Sequence, residues 1–218
     1  NLVAGDNNQA TDVFLRDLLW ETTELVSVNA NGFSGNGASY SPMIGADGRG
    51  VLFHSKANDL AAGILSSGRE NIYWRDLWSG ATYLLSGNNG NQSASLAATV
   101  TPSGRYAVFG TESASWYVWD SLAGNRIYTN TAAPGGPVSN IWVSADAMRI
   151  AYAAGWPLSL YLVDRLANTT TTMGAVSWRA NPCFSGDGRY LAYATTSANA
   201  PGDTNGVADV YLYDCQSG

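Results

Sequence analysis

Apolar and polar positions along the chain keep returning to one short phrase. Asp12-Val-Phe-Leu-Arg-Asp17 recurs as Asn71-Ile-Tyr-Trp-Arg-Asp76, Ser115-Trp-Tyr-Val-Trp-Asp120, Ser159-Leu-Tyr-Leu-Val-Asp164 and Asp209-Val-Tyr-Leu-Tyr-Asp214. Every copy ends in Asp and has an aromatic residue three places earlier: Phe14, Tyr73, Tyr117, Tyr161 and Tyr211. The positions two and four before that Asp are always large and apolar. Bulky groups on both faces of so short a run predict a strand in a sheet covered on both sides.

A second signal falls between the hexamers. Ala46-Asp-Gly-Arg49, Pro102-Ser-Gly-Arg105, Ala145-Asp-Ala-Met-Arg149 and Gly186-Asp-Gly-Arg189 read as hairpin turns, since Asp-Gly and Ser-Gly tolerate positive φ. One copy has Ser103 in place of Asp, and another has an extra residue before its Arg (Ala147-Met148), so degenerate turns are expected there. Each turn leads into a short strand with an aromatic: Val51-Leu-Phe53, Ala107-Val-Phe109, Ile150-Ala-Tyr152 and Leu191-Ala-Tyr193. A strand before the turn (39–44, 181–185) and one after the hexamer (24–27, 83–86, 126–129) complete a unit of four.

Four short antiparallel strands every 40 to 50 residues mark a β-propeller blade, whose two apolar faces are buried only by stacking on neighbours. The expected fold is therefore all-β: a propeller of about five blade equivalents, three of them complete, forming one domain over residues 1–218. Seventeen strands are expected: two, then three sets of four, then three. The shared aromatic column is expected to pack blade against blade. The chain begins at Asn1 inside a repeat, without Met, and is expected to be a piece of a longer product.

Composition agrees with many tight turns. Apolar residues make up 45% and charged residues 13%, about half the usual share, and there are 24 glycines. Net charge is −6, with Lys56 the sole lysine, so no basic patch suits a phosphate backbone and nucleic-acid binding is not expected. No apolar run approaches the roughly 18 residues of a membrane span. Cys183 and Cys215 fall on strands that are not neighbours, so two free, mostly buried thiols are expected.

Ser185-Gly-Asp-Gly-Arg-Tyr-Leu-Ala-Tyr193 and Asp209-Val-Tyr-Leu-Tyr-Asp214 together resemble the WD40-like (PD40) repeats of the bacterial TolB-like propeller family. Asn1-Leu-Val-Ala-Gly-Asp6, followed by the first hexamer, looks like a long-loop variant of the same unit. The resemblance covers essentially the whole chain. It implies periplasmic or extracellular residence and protein partners, as a scaffold or accessory subunit of a larger assembly. It names no reaction.

Two loops carry the sharpest ligand signal. Gly5-Asp-Asn-Asn-Gln-Ala-Thr-Asp12 and Gly202-Asp-Thr-Asn-Gly-Val-Ala-Asp209 share one spacing directly before a hexamer. Asp6, Asn8 and Asp12, with Asp203, Asn205 and Asp209, offer the alternating oxygens of a Ca2+ loop. The plainer reading is that Asp and Asn bond their own turns, and the loop from 63 to 70 lacks the pattern, so no cofactor is required. Of eight tryptophans, Trp74, Trp116, Trp119 and Trp142 fall in strands and are assigned to packing. Trp20, Trp78, Trp156 and Trp178 fall in connections, where exposed aromatics mark protein interfaces or stack on sugars. A carbohydrate-binding module, or a propeller enzyme acting on polysaccharide, is thus the alternative.

Catalysis finds little else to rest on. His54 is the only histidine, set in a strand where a satisfied structural role is expected. No Gly-x-Ser-x-Gly, His-x-x-x-His or Cys-x-x-Cys motif occurs. Asn91-Gln-Ser93 and Asn168-Thr-Thr170 match the glycosylation sequon and carry no weight in a chain resembling bacterial repeats.

Overall fold

Tight turns and short apolar runs leave the chain one economical solution, a succession of antiparallel meanders. The computed structural model describes residues 2–62, 69–86, 94–111, 114–131, 133–179 and 181–218. The Asn91-Gln-Ser93 sequon and most of the 63–70 loop lie outside them. The chain divides into two compact units, Asn1–Ala94 and Ser95–Gly218.

In the first unit, β1 (Phe14–Arg16) pairs with β2 (Thr23–Leu25). A four-stranded meander follows: β3 (Ser39–Ile44), β4 (Gly50–Ser55), β5 (Asn71–Asp76) and β6 (Ala81–Leu84). Val13 and Val26 pack with Val51, Phe53 and Tyr73 in one buried cluster, joining the two sheets of this unit.

The second unit holds two further meanders and a three-stranded sheet. These are β7 (Ala94–Val100), β8 (Tyr106–Thr111), β9 (Trp116–Asp120) and β10 (Asn125–Asn130); then β11 (Val138–Val143), β12 (Arg149–Ala154), β13 (Ser159–Asp164) and β14 (Thr169–Ala175). Last come β15 (Cys183–Phe184), β16 (Tyr190–Thr195) and β17 (Asp209–Asp214). Among the described residues the strands are grouped two, four, four, four and three, as the repeat count predicts.

The sheet β11–β14 is buried on both faces. Ile150, Tyr152 and Val163 pack with Val108, Trp116 and Val118 of one neighbouring sheet. Ala151, Leu160 and Leu162 pack with Leu191 and Tyr193 of the other. That is why the hexamers carry bulky residues at successive positions instead of alternating with polar ones.

Two expectations need correction, and a third is extended. The aromatic column does pack between sheets, Tyr73 with Val13 and Val26 and Tyr161 against the Val108 and Trp116 cluster. Its tyrosine rings also stack on the strand beside them: Phe53–Tyr73, Phe109–Tyr117, Tyr152–Tyr161 and Tyr193–Tyr211, with ring centroids 5.6, 5.4, 5.1 and 5.8 Å apart. Direct register brings these pairs together, as at Phe53↔Tyr73. The Ala145–Arg149 turn is not longer than the others. The N–H of Ala147 bonds the Ser144 carbonyl at 2.9 Å, as Gly104 bonds Thr101 and Gly188 bonds Ser185 (both 2.8 Å), and Ala147 takes the positive φ of those glycines. Met148 then stands where the other turns place Arg, and Arg149 lies one step on. Nor is the Ser103 turn degenerate, since the Ser103 hydroxyl accepts the Arg105 N–H as the Asp47 and Asp187 carboxylates do for Arg49 and Arg189. Both cysteines are free, but Cys183 is exposed, because β15 is the outer strand of its sheet. Partial burial pushes the Cys215 thiol up from its ordinary value.

Candidate functional site

The terminal Asp of each hexamer does structural work twice over. One carboxylate oxygen accepts the N–H of the residue two places on: Leu19 (2.8 Å), and Trp78, Leu122, Leu166 and Gln216 (each 2.9 Å). In the four sheets that have an Arg at or just before the start of the second strand, the other oxygen receives it. The pairs are Arg49–Asp76 (2.9 Å), Arg105–Asp120 (3.1 Å), Arg149–Asp164 (3.1 Å) and Arg189–Asp214 (2.7 Å). Burial pushes the Asp76 carboxyl up, but the Ser79 and Trp78 N–H groups and Arg49 together hold it below the usual range. These carboxylates close turns.

What the turns display is less expected. At the residue held by the Asp, the side chains of Leu19, Trp78, Leu122 and Leu166 are all exposed, and Trp20 is exposed beside Leu19. Large exposed apolar groups thus recur at one turn position, two in each unit, each fixed through its own backbone.

His54 is buried and bonds Glu70 at 2.6 Å, while the Tyr40 hydroxyl donates to the same carboxylate at 2.7 Å. Its partner is thus found within the fold. Burial, with Glu70 beside it, pushes the Tyr40 phenol up to about 12.

The twin loops are alike in structure as well as in spacing. The side-chain oxygen of Asn8 accepts the Ala10 N–H at 2.8 Å, and that of Asn205 accepts the Val207 N–H at 2.9 Å. Asn205 donates its amide to Asp209 at 2.8 Å, Asp203 accepts the Tyr211 hydroxyl, and Asp12 accepts the Ser27 hydroxyl at 2.6 Å. Burial pushes the Asp12 carboxyl up, against the hydrogen bonds from Ser27 and Asn8, and the charge of Asp6 adds to the rise. Asp6 is buried near Asp12, whereas Asp203 and Asp209 bond different neighbours. Among the described residues, no three His, Cys, Asp or Glu side chains gather as metal ligands. Turn bonding accounts for both asparagines.

The tryptophans divide as their positions suggest: Trp74, Trp116 and Trp119 are buried and Trp142 is half-buried, while Trp20, Trp78, Trp156 and Trp178 are exposed. The structure adds that Trp156 and Trp178, 22 positions apart in the chain, line one cleft of about 510 Å3 in the second unit. Trp156 is 99% exposed at the tip of the β12–β13 hairpin, next to Gly155 with φ +95° and joined to Pro157 by a cis peptide. Trp178 is 73% exposed in the β14–β15 connection, with the Arg179 guanidinium 4.6 Å from its ring. The Val176 N–H bonds the Leu158 carbonyl at 2.9 Å and ties the two walls together. Ser139 and Asn140, both exposed and set at a register shift in β11, line the cleft as well. Loop position in the sequence flagged each indole, but only the return of β14 past β13 brings them together.

No protein-family model matches the chain, and no curated protein matches it. Among solved structures, the tricorn protease matches with a TM-score of 0.58 at 15% identity, over 92% of this chain and 18% of that one. It is a propeller-containing protein, and the likeness shows the fold alone. The hydrazine synthase of Kuenenia stuttgartiensis matches with a TM-score of 0.47 at 16% identity, over 81% of this chain and 46% of that one. The chain thus spans less than half the length of either.

Proposed function

We propose that the chain is part of a β-propeller of TolB-like, PD40-type repeats that acts without catalysis, as a protein-interaction scaffold or accessory subunit of a periplasmic or extracellular assembly. The observation that carries this reading is the exposed apolar residue at one turn position of four sheets: Leu19, Trp78, Leu122 and Leu166. Leaving such side chains in water forgoes about 1.5–3 kcal/mol each. A partner's apolar surface recovers it. The acidic groups that might otherwise suggest chemistry close turns instead. Residence outside the cytoplasm rests on the repeat resemblance.

The test uses the chain as bait in extract from its native source, beside a Trp78→Ser/Leu122→Ser/Leu166→Ser variant. All three side chains are exposed, so the variant keeps its fold. The expected result is one stoichiometric partner held by the wild type and weakened roughly thirtyfold in the variant, the scale of a hot-spot truncation. Recovery of no partner, or equal recovery by both baits, overturns the reading.

A further inference from the structure

The cleft between Trp156 and Trp178 breaks the repeat. The turns before β4, β8, β12 and β16 and those after the hexamers close on Asp or Ser bonds, whereas the β12–β13 tip is Gly155-Trp-Pro-Leu158 and holds an indole almost wholly in water. We propose that this cleft is a binding site for a neutral saccharide, one sugar ring stacking on Trp156 and the chain of rings running towards Trp178. This goes beyond the scaffold reading, because it concerns a different surface and a different class of ligand.

Charge, polar groups, ring faces and size argue for that occupant. The lining residues themselves carry no ionisable side chain, the adjacent Arg179 guanidinium already lies against the Trp178 ring, and the chain's net charge of −6 disfavours an acidic polymer. The polar groups in the cleft are the hydroxyls of Ser139 and Ser177 and the amide of Asn140, each able both to donate and to accept. Sugar hydroxyls have the same double capacity. A proline-rich segment, the other habitual guest of aromatic grooves, offers only carbonyl acceptors at each of its prolines and so meets less of that double capacity. The indoles supply the flat apolar faces that C–H faces of a sugar ring cover. A volume of about 510 Å3 lies within the usual range for small-ligand clefts, and the Val176–Leu158 bond preforms it.

Affinity electrophoresis through gels containing a neutral β-glucan or a neutral mannan tests the site, with an acidic polyuronate gel as control. Tryptophan fluorescence titrations with the matching oligosaccharides and with decaproline accompany it. The wild type is expected to be retarded by at least one neutral polysaccharide and not by the polyuronate. Trp156→Ala should weaken that retention about tenfold, the scale of a lost ring stack, and Asn140→Ala should weaken it as well. Both side chains are exposed, so thermal unfolding should be unchanged. Trp78→Ser should retain the glycan like the wild type, which separates this result from the protein-partner reading. No retention in either neutral gel, equal retention by Trp156→Ala, or a fluorescence response to decaproline alone overturns the proposal.

Discussion

Ala147 holds φ +56° at the turn position that Gly48, Gly104 and Gly188 fill in the other sheets. For an L-residue with a Cβ this conformation costs about 1–2 kcal/mol. Ala147 offsets it because its methyl is fully buried in the cluster around Val163 and Ile150, and a buried methyl contributes about 0.8 kcal/mol. At Gly48 an added Cβ would meet nothing within 4 Å, so the same strain goes uncompensated. Gly48→Ala is therefore expected to destabilise by about 1 kcal/mol. Ala147→Gly, which trades strain for lost burial and added chain entropy, should stay within about 0.5 kcal/mol of neutral. Urea unfolding of both variants checks this. Equal destabilisation by the two would refute the offset.

At the scale of the element, one hexamer departs from its siblings. Positions two and four are buried in the three complete sheets, as Ile72 and Trp74, Trp116 and Val118, and Leu160 and Leu162. In β17 the equivalents Val210 and Leu212 are 81% and 68% exposed, while Tyr211 and Tyr213 pack inward on the β13–β16 cluster. The same hexamer thus means different things by position. Leu160→Ser should cost about 3–5 kcal/mol, while Val210→Ser should cost under about 0.5 kcal/mol. A large loss at Val210 in a thermal-shift or urea series would show that this face is covered in solution. Much of the architecture was legible in residues: hexamers, Gly turns and strand grouping all follow from local pattern and repeat. Legible too was the split of the tryptophans, because a strand position implies burial and a connection does not. Three things were not. Counting to the nearest Arg hid the true register of the Ala147 turn, since hydrogen bonding follows the closing pair of the hairpin and not the side chain. Aromatics three before each Asp gave no sign of their stacking partner, which register alone decides. The pairing of Trp156 with Trp178 needs β13 and β14 to run out and back, and no local signal encodes that.

For the whole molecule, the repeated turns set a pH dependence whose sign can be worked out. Asp76, Asp120, Asp146, Asp187 and Asp214 all titrate below the ordinary carboxylate range. The Arg189 hydrogen bond, followed by the Gln216 N–H, draws Asp214 down to about 2. At Asp120 burial pushes upward, but Arg105 and the Ala123 and Leu122 N–H groups outweigh it. A carboxyl whose folded pKa is depressed stabilises the fold above its unfolded value, about 3.9, and loses that contribution as pH falls through the folded value. Asp12 runs the other way. Its pKa is raised, chiefly by burial, so its contribution is present at low pH and fades as pH climbs through its folded value. Among the described residues, five depressed carboxyls against one raised carboxyl give stability that falls as pH drops from about 4 towards 2. Loss of carboxylate charge then leaves eleven Lys and Arg cations repelling one another, which deepens the fall. Asp120→Asn should be less stable than the wild type at pH 7, having lost its charged partner to Arg105, yet should decline more gently in acid because one titrating group is gone. Urea midpoints followed by tryptophan fluorescence at pH 7, 5, 4 and 3 would show both effects. A midpoint that rises between pH 5 and 3, or an Asp120→Asn decline as steep as the wild type's, would mean that the Arg–Asp turn pairs do not govern the acid response.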